Sequence, residues 1–251
     1  MISIAPMAER RSAAPALLVA GLCAVGLVLT WVFAELVPAT HVRDAIALYD
    51  FTRLDRPFVE IPANALLDLL EPPFFITWAI VLVVIALRQG RGRVALAVAL
   101  VLGLAPLSAE LLKPLVAHSH AQIAPVYITD ASWPSGHATA ATTLALCAVL
   151  VAPPARRRFV GIVGLTLVAA VGCALLILAW HMPSDVLGGY LLGTLWVSLA
   201  VAALKASRRS PSSQAVEAAE SAPCAPGAQS DSGPSFAARL RMNSMSESRF
   251  R

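Results

Sequence analysis

The sequence predicts an all-α membrane protein, a polytopic membrane helical bundle of six transmembrane helices. Of its 251 residues, 58% are hydrophobic and only 14% are charged, and the mean hydropathy is +0.73. A soluble domain of this length does not need so much apolar surface, so a lipid bilayer is the expected solvent. The apolar residues also fall into six separate runs along the chain.

These six runs define the predicted spans. They cover residues 15–36, 74–87, 94–112, 137–151, 159–180 and 183–204. The first run follows a short basic leader, but it is longer than the core of a signal peptide and other runs follow it, which favours a membrane helix. Between the first two runs, charged residues alternate with short apolar patches, a pattern typical of amphipathic helices at a membrane surface.

Three regions follow from this pattern. Residues 1–13 are a cytoplasmic leader, residues 14–205 are the six-helix membrane domain, and residues 206–251 are a cytoplasmic tail. The tail is rich in serine, alanine, proline and glycine. Because it has too little apolar surface to fold alone, we expect it to be disordered.

Positive charges set the predicted orientation. The net charge is +4, but the arginines lie beside apolar runs and form no continuous basic stripe, which argues against a nucleic-acid partner. With six spans, the clusters at residues 10–11, 88–93, 156–158 and 205–209 all fall on the side of the termini. The positive-inside rule therefore predicts that both termini are cytoplasmic.

The turn from Trp133 to His137 opens directly into the fourth apolar run. Backbone N–H groups at a helix start favour an anion, and Gly136 lets a ligand approach the backbone closely. His137 supplies a proton carrier near neutral pH. Taken alone, the turn is better explained as an ordinary helix N-cap beside an incidental histidine, so its interpretation depends on the rest of the chain.

Two further polar elements are predicted to reach the same rim of the bundle. His181 and Asp185 lie four residues apart at a helix start, where the carboxylate can hold the imidazole in one tautomer. The alternative is a surface histidine beside an acid favoured by the helix dipole. Lys113 ends the third span, on one face with Glu110. Because successive spans alternate in direction, Lys113, His137 and His181 converge on the non-cytoplasmic side, which predicts a site there.

A metal site is not indicated. His181 and Asp185 are possible ligands, but no further ligands follow them at metal-binding spacing. The four cysteines of the chain show no paired spacing, so they indicate neither a zinc site nor a disulfide framework.

The motifs carry a resemblance to a known family. Pro134-Ser-Gly-His137, followed after a span by His181-x-Pro-Ser-Asp185, resembles the type 2 phosphatidic acid phosphatase superfamily. That superfamily has a lysine motif (KxxxxxxRP), then PSGH, then SRxxxxxHxxxD, on a six-helix membrane core. The resemblance covers about residues 111–193. It implies an integral-membrane lipid phosphatase that works without a divalent metal or another cofactor.

The resemblance also implies a role for each motif residue. His181 would attack phosphorus and form a phosphohistidine, Asp185 would orient it, and His137 would protonate the leaving group. The phosphate-binding residues would be Lys113, Ser135, Gly136 and His120, the last in place of an arginine. Such a site suits phosphoryl transfer, which depends mainly on positioning and on charge stabilisation of the equatorial oxygens.

Both motif arginines are absent. The arginine and proline of the lysine motif are replaced by His120 and Ala121, and the serine and arginine before the nucleophile by Ala174 and Leu175. The planar guanidinium fork suits phosphate, and neither histidine nor leucine reproduces it. Loss of one such donor costs about 3 kcal/mol in the transition state.

Three hypotheses address this departure. His118 and His120 can partly replace the arginines, which predicts activity that rises at acidic pH because imidazole is then charged. An arginine of the first loop can fold over the site, the candidates being Arg43, Arg53 and Arg56. Finally, the chain can be a degenerate member that binds a lipid phosphate without hydrolysing it. Retention of nucleophile, acid and orienting aspartate favours an active enzyme.

The expected partner is a lipid phosphate whose head group sits at the level of Trp133 and Trp180. Candidates implied by the resemblance are polyprenyl diphosphate, phosphatidic acid and phosphatidylglycerol phosphate. The many arginines and alanines suggest a GC-rich bacterium, so the site would face the periplasm or the exterior of the inner membrane. A transporter is the alternative from another class, but the charges collect at one rim and no internal repeat is present. The sequence does not indicate an oligomeric state.

Overall fold

A computed structural model of the chain describes residues 12–117 and 132–207. Within those ranges the regular structure is entirely helical, which confirms the all-α prediction. The helices are α1 (Ala14–Trp31), α2 (Pro38–Thr52), α3 (Pro57–Asp68), α4 (Pro72–Arg88), α5 (Gly92–Val116), α6 (Gly136–Val151), α7 (Arg157–Ile177) and α8 (Pro183–Ala206). A π-helical turn, Val32–Leu36, extends α1, and a 3-10 turn, Pro154–Arg156, precedes α7.

Among the described residues, four helical segments are long and apolar enough to cross a bilayer, and they make the chain a multi-pass membrane protein. They are Ala14–Ala34, Gly92–Val116, Pro154–Ile177 and Pro183–Ala206. The helices α3 and α4 qualify only as a pair, bent by 56° at the break between them. With 16 residues, α6 is about 24 Å long, shorter than the hydrocarbon core of about 30 Å. Helices cover the six predicted spans, except that the fifth ends at Ile177 and residues 178–180 form a turn. Six complete crossings stay a prediction.

The two short helices predicted in the first loop are present and pack against the bundle. Both α2 and α3 begin with proline, which suits the first helical position because its N–H is not needed there. Leu48 of α2 and Leu67 of α3 are fully buried, in an apolar cluster with Val171 and Leu175 of α7. The first loop therefore covers the end of the bundle where α7 ends and α8 begins.

Glycines bring α6 and α8 into backbone contact. A Cβ atom on Gly189 would lie 2.6 Å from the Ser135 carbonyl oxygen, and one on Gly193 would lie 2.9 Å from Cβ of Thr142. The four-residue spacing of these glycines predicts a close helix contact, and the structure confirms it. The close approach places the starts of α6 and α8 side by side.

The far end of α6 is capped by arginines. The Arg91 guanidinium donates to the carbonyl oxygens of Leu150 and Val151 at 3.0 and 3.1 Å, and Arg157 donates to that of Ala152 at 3.1 Å. Cations are favourable at a helix C-terminus because the last carbonyls lack intrahelical partners. The basic turns and the polar motifs thus lie at opposite ends of α6.

Candidate active site

The turn before α6 is built around Ser135, which is buried and is the N-cap of the helix. Its backbone is extended, and its Oγ accepts the Ala138 N–H at 3.3 Å. The ordinary N-cap interpretation is therefore correct as a description of this residue. A serine hydroxyl that accepts in this way still carries a proton to donate, so capping and phosphate binding are compatible.

A tight corner between α7 and α8 places His181 at the end of the bundle where α6 begins. At the end of α7, Trp180 N–H donates to the Leu175 carbonyl at 2.9 Å and Ala179 N–H to that of Leu176 at 3.2 Å. This is the Schellman pattern, with Ala179 at φ +54° where glycine is usual. Two residues after this left-handed residue, His181 lies directly before the N-cap of α8.

His181 and Asp185 form a buried pair. Nδ1 of His181 lies 3.4 Å from Oδ2 of Asp185, and the same oxygen accepts the Met182 N–H at 2.9 Å. Asp185 is the third residue of α8, so its carboxylate also caps the helix, as the dipole interpretation predicts. Capping and orientation of the imidazole are therefore carried out by one carboxylate.

A backbone hydrogen bond joins the two motifs. Ser135 N–H donates to the Asp185 carbonyl oxygen at 3.0 Å. The PSGH turn and the first turn of α8 are thus held in a defined register, although they lie 50 residues apart in sequence. His137 lies within electrostatic range of His181, and its ring meets that of Trp180 edge-on, with centroids 5.7 Å apart.

Lys113 reaches this cluster from α5. Its Nζ lies 2.8 and 3.0 Å from the two carboxylate oxygens of Glu110, so the predicted shared face is confirmed. Both side chains interact electrostatically with His137. Oε1 of Glu110 lies 2.6 Å from the position that a Cβ atom would occupy on Gly136. The structure therefore brings Lys113, Gly136, His137 and His181 together, as the alternating direction of the spans predicts.

Comparison with known families accounts for this arrangement. Residues 92–209, which include both motifs and Lys113, match the PAP2 superfamily. The resemblance that the motifs indicate is thereby confirmed.

The PAP2 segment sits within a fold already seen in a solved structure. The chain is similar to the first transmembrane PAP2 type phosphatidylglycerolphosphate phosphatase from Bacillus subtilis, with a TM-score of 0.64 and 20% sequence identity. The match covers 76% of this chain and 98% of that one. At this identity the likeness establishes the fold. A comparison with curated protein sequences gave no significant match.

The structure explains one of the two missing PAP2 arginines. Leu175, which stands at the arginine position of the third motif, is fully buried, and its neighbour Ala174 is 4% exposed. Both belong to the apolar cluster that the first-loop helices close with Leu48 and Leu67. A guanidinium at this position would lose its water and face apolar side chains, so leucine suits the packing that surrounds it.

The proposed substitutes for the arginines differ in position. His118 and His120 lie outside the described residues. Among the three arginines of the first loop, Arg43 lines an open cavity of about 470 Å³ together with Pro183 and Ser184, beside the start of α8. The other two, Arg53 and Arg56, are exposed near the junction of α2 and α3.

Sequence reasoning missed the long-range contacts of two carboxylates near this candidate site. The spacing pairs Glu110 with Lys113, but the approach of Glu110 to Gly136 joins two segments that no local spacing relates. Asp44 of α2 bonds to Ser184 of α8, 140 residues later. The available signal for Asp44 was its position one helical turn before Leu48, which places both residues on one face of α2.

Proposed function

We propose that the protein is an integral-membrane lipid phosphatase that hydrolyses a phosphate monoester or diphosphate head group through a phosphohistidine at His181. The observation that carries this proposal is the meeting of His181, His137 and Lys113 at the starts of α6 and α8, with Asp185 behind the His181 imidazole. Support also comes from the PAP2 match of the segment that contains all four residues.

In the first step, His181 is the nucleophile. With its Nδ1 proton directed at Asp185, the Nε2 lone pair is free to attack phosphorus. As the N–P bond forms, the bond from phosphorus to the leaving oxygen breaks, and His137 donates a proton to that oxygen. The products are a lipid alcohol, or a lipid monophosphate if the substrate is a diphosphate, and the phosphohistidine.

In the second step, water releases the phosphate. His137, now neutral, accepts a proton from a water molecule whose oxygen attacks phosphorus. The N–P bond breaks, its electron pair returns to Nε2 of His181, and inorganic phosphate leaves. The return of His137 to its protonated state restores the enzyme for the next cycle.

We assign charge stabilisation of the phosphoryl oxygens to Lys113 of α5 and to groups at the start of α6. Lys113 supplies a cation, and the Ser135 hydroxyl and the backbone at Gly136 supply neutral donors at a helix N-terminus. His120 belongs to this set by its motif position. Arg43 is the first-loop arginine that best fits a replacement role, because it lines the cavity beside Ser184.

The proposed substrate is a membrane lipid phosphate, with polyprenyl diphosphate, phosphatidic acid and phosphatidylglycerol phosphate as the candidates. The structurally similar Bacillus subtilis protein is a phosphatidylglycerolphosphate phosphatase. We place the site on the periplasmic or extracellular face of the inner membrane and both termini in the cytoplasm, because the basic clusters lie at the end of α6 away from the motifs.

Release of inorganic phosphate by the purified full-length protein tests this function. We expect detergent-solubilised protein to release phosphate from at least one of the three lipid phosphates, at equal rates with and without a chelator. Dependence on added divalent metal would contradict the metal-independent mechanism. If a correctly folded sample releases no phosphate from any of them, the enzyme proposal fails.

Lipid-phosphate binding without turnover is the second candidate, and the burial of Leu175 in the apolar cluster favours it. A binding protein of this kind would retain affinity for the lipid phosphates and show no phosphoenzyme. Brief incubation with a lipid carrying ³²P in its phosphate, followed by alkaline denaturation, distinguishes the two. Label on His181 supports the enzyme, whereas bound lipid without label supports the binding protein.

Glu110 is expected to compete with the substrate phosphate. Its carboxylate lies on Lys113 and against Gly136, where the proposed mechanism places the phosphoryl group. Glu110→Gln removes this charge, and we expect KM to fall about threefold, as suits an ion pair whose carboxylate is 58% exposed. The matched control is Glu60→Gln on the exposed side of α3, which should leave KM unchanged. A rise in KM for Glu110→Gln would instead indicate that Glu110 holds Lys113 in place.

A further inference from the structure

A carboxylate from the first loop reaches the helix that follows His181. The two carboxylate oxygens of Asp44 accept the Ser184 N–H at 3.2 and 3.3 Å, and Oδ2 also accepts a short hydrogen bond from the Ser184 hydroxyl. These bonds join α2 to the first turn of α8. Both carboxylate oxygens of Asp44 therefore accept hydrogen bonds at the end of α8 that carries Asp185.

The position of Ser184 gives these bonds their significance. It is the second residue of α8, where a backbone N–H has no partner within the helix. The preceding residue, Pro183, carries no N–H, and Asp185 N–H is turned back to the Met182 carbonyl at 3.0 Å. The Ser184 donor is therefore satisfied from outside the helix, by an acid that the helix dipole favours.

The helix that carries Asp44 packs against both α7 and α8. One turn further along α2, Leu48 is fully buried among Leu175 and Val186, so α2 is anchored on both helices of the corner. Burial raises the pKa of Asp44, and the hydrogen bonds from Ser184 oppose that shift. A half-buried carboxylate with these partners has little freedom to leave the helix end.

The first turn of α8 is consequently held from two sides. Ser135 N–H binds the Asp185 carbonyl on the side of the PSGH turn, and Asp44 binds Ser184 on the side of the first loop. Between these two contacts, the Asp185 carboxylate holds Nδ1 of His181. Movement of this turn would carry the imidazole with it.

We propose that Asp44 is a positioning residue, which holds the first turn of α8 so that Asp185 keeps the His181 imidazole aimed at phosphorus. The inference rests on the proposed function of His181 as nucleophile. Asp44 lies outside residues 92–209, so it adds to the PAP2 segment a residue from the first loop.

The test compares Asp44→Ala and Ser184→Ala with the wild-type full-length protein in detergent. We expect Asp44→Ala to lower kcat about tenfold with KM nearly unchanged, because small displacements of a reacting group slow the chemical step. Ser184→Ala keeps the backbone N–H bonds to Asp44 and loses only the hydroxyl bond, so its loss in kcat should be smaller. The double variant should be no slower than Asp44→Ala, since that change alone removes every bond between the Asp44 carboxylate and Ser184. Asp44→Asn, which keeps an acceptor oxygen, should recover part of the rate.

Chemical modification provides a second readout that does not need turnover. Diethyl pyrocarbonate modifies accessible neutral imidazoles, and mass spectrometry measures the rate at His181. We expect faster modification of His181 in Asp44→Ala and Ser184→Ala than in the wild type. If the wild type hydrolyses no lipid phosphate, the proposed function fails, and this rate still tests the positioning role.

Asp50→Ala is the matched control, because Asp50 is an exposed acid on the same helix. It should show wild-type kcat and a wild-type modification rate. The proposal is overturned if Asp44→Ala keeps both values at the wild-type level. It is also overturned if Asp44→Ala only lowers the midpoint of thermal unfolding, with kcat below that temperature unchanged, which is the signature of a purely structural contact.

Discussion

Replacing His181 should abolish phosphate release, with a loss of at least about a thousandfold in kcat. His181→Ala removes the nitrogen that we propose forms the phosphoenzyme bond, together with the imidazole that Asp185 holds. The measurement is release of phosphate by purified protein at saturating lipid phosphate. The ³²P label on the protein should disappear in the same variant.

The control for His181→Ala must separate lost chemistry from lost structure. His181→Gln keeps a donor for the Asp185 carboxylate, so the buried acid is not left unpaired, yet it cannot be phosphorylated on an imidazole nitrogen. We expect it to fold like the wild type and to be equally inactive. Activity above a tenth of the wild-type value in either variant would exclude His181 as the nucleophile.

Asp185→Asn tests the orienting role at the same pair. The amide preserves the size of the side chain but removes the charge that favours a protonated Nδ1 on His181. Loss of the corresponding acid in other base–orienter pairs costs up to about 10⁴-fold in kcat. We expect a loss of this kind, smaller than that of His181→Ala.

Adding one methyl group at Gly189 should both destabilise the protein and slow it. In Gly189→Ala the new Cβ would meet the Ser135 carbonyl oxygen at 2.6 Å, the Ala138 Cβ at 2.7 Å and the Thr139 nitrogen at 3.0 Å. Two of these atoms are backbone, so α6 and α8 must separate. We expect a loss of about 2–3 kcal/mol in the free energy of unfolding.

The same separation should reduce activity, because Ser135 and Asp185 are hydrogen-bonded across this contact. A displacement of about 1 Å between the two motifs would lower kcat up to about a hundredfold. Gly103→Ala is the matched control. Gly103 lies within α5 with no atom within 4 Å of its Cβ position, so alanine should fit and favour the helix slightly.

Thermal unfolding in detergent and phosphate release measure both glycine variants. Gly189→Ala should unfold at a lower temperature than the wild type, whereas Gly103→Ala should not. Equal unfolding temperatures for the two variants would show that α6 and α8 do not pack as closely as the structure has them.

The helices and their order were predictable because a bilayer leaves the backbone few alternatives. Without water to satisfy N–H and C=O groups, long apolar segments form helices that bond internally. The pairing of Glu110 with Lys113 follows from the same regularity, since residues three apart share a helix face. The number of helices that cross the bilayer completely does not follow from the sequence, because α6, with 16 residues, is shorter than the hydrocarbon core.

The convergence of His137, His181 and Lys113 also followed from sequence, through the alternating direction of the spans. The serine at the N-cap of α6 was identifiable from its position before Gly136. The motif pattern did not explain why both arginines are absent. The structure answers part of that question by placing Leu175 in the apolar cluster.

The sequence by itself determined the all-α class, the motif residues and the end of the bundle at which they meet, because helical periodicity and span direction are local properties. Only the tertiary structure decided that Asp44 caps α8, that Glu110 lies against Gly136 and that the first loop closes over Leu175. These contacts join segments far apart in the chain. They depend on how helices pack and how loops return, which no local pattern encodes.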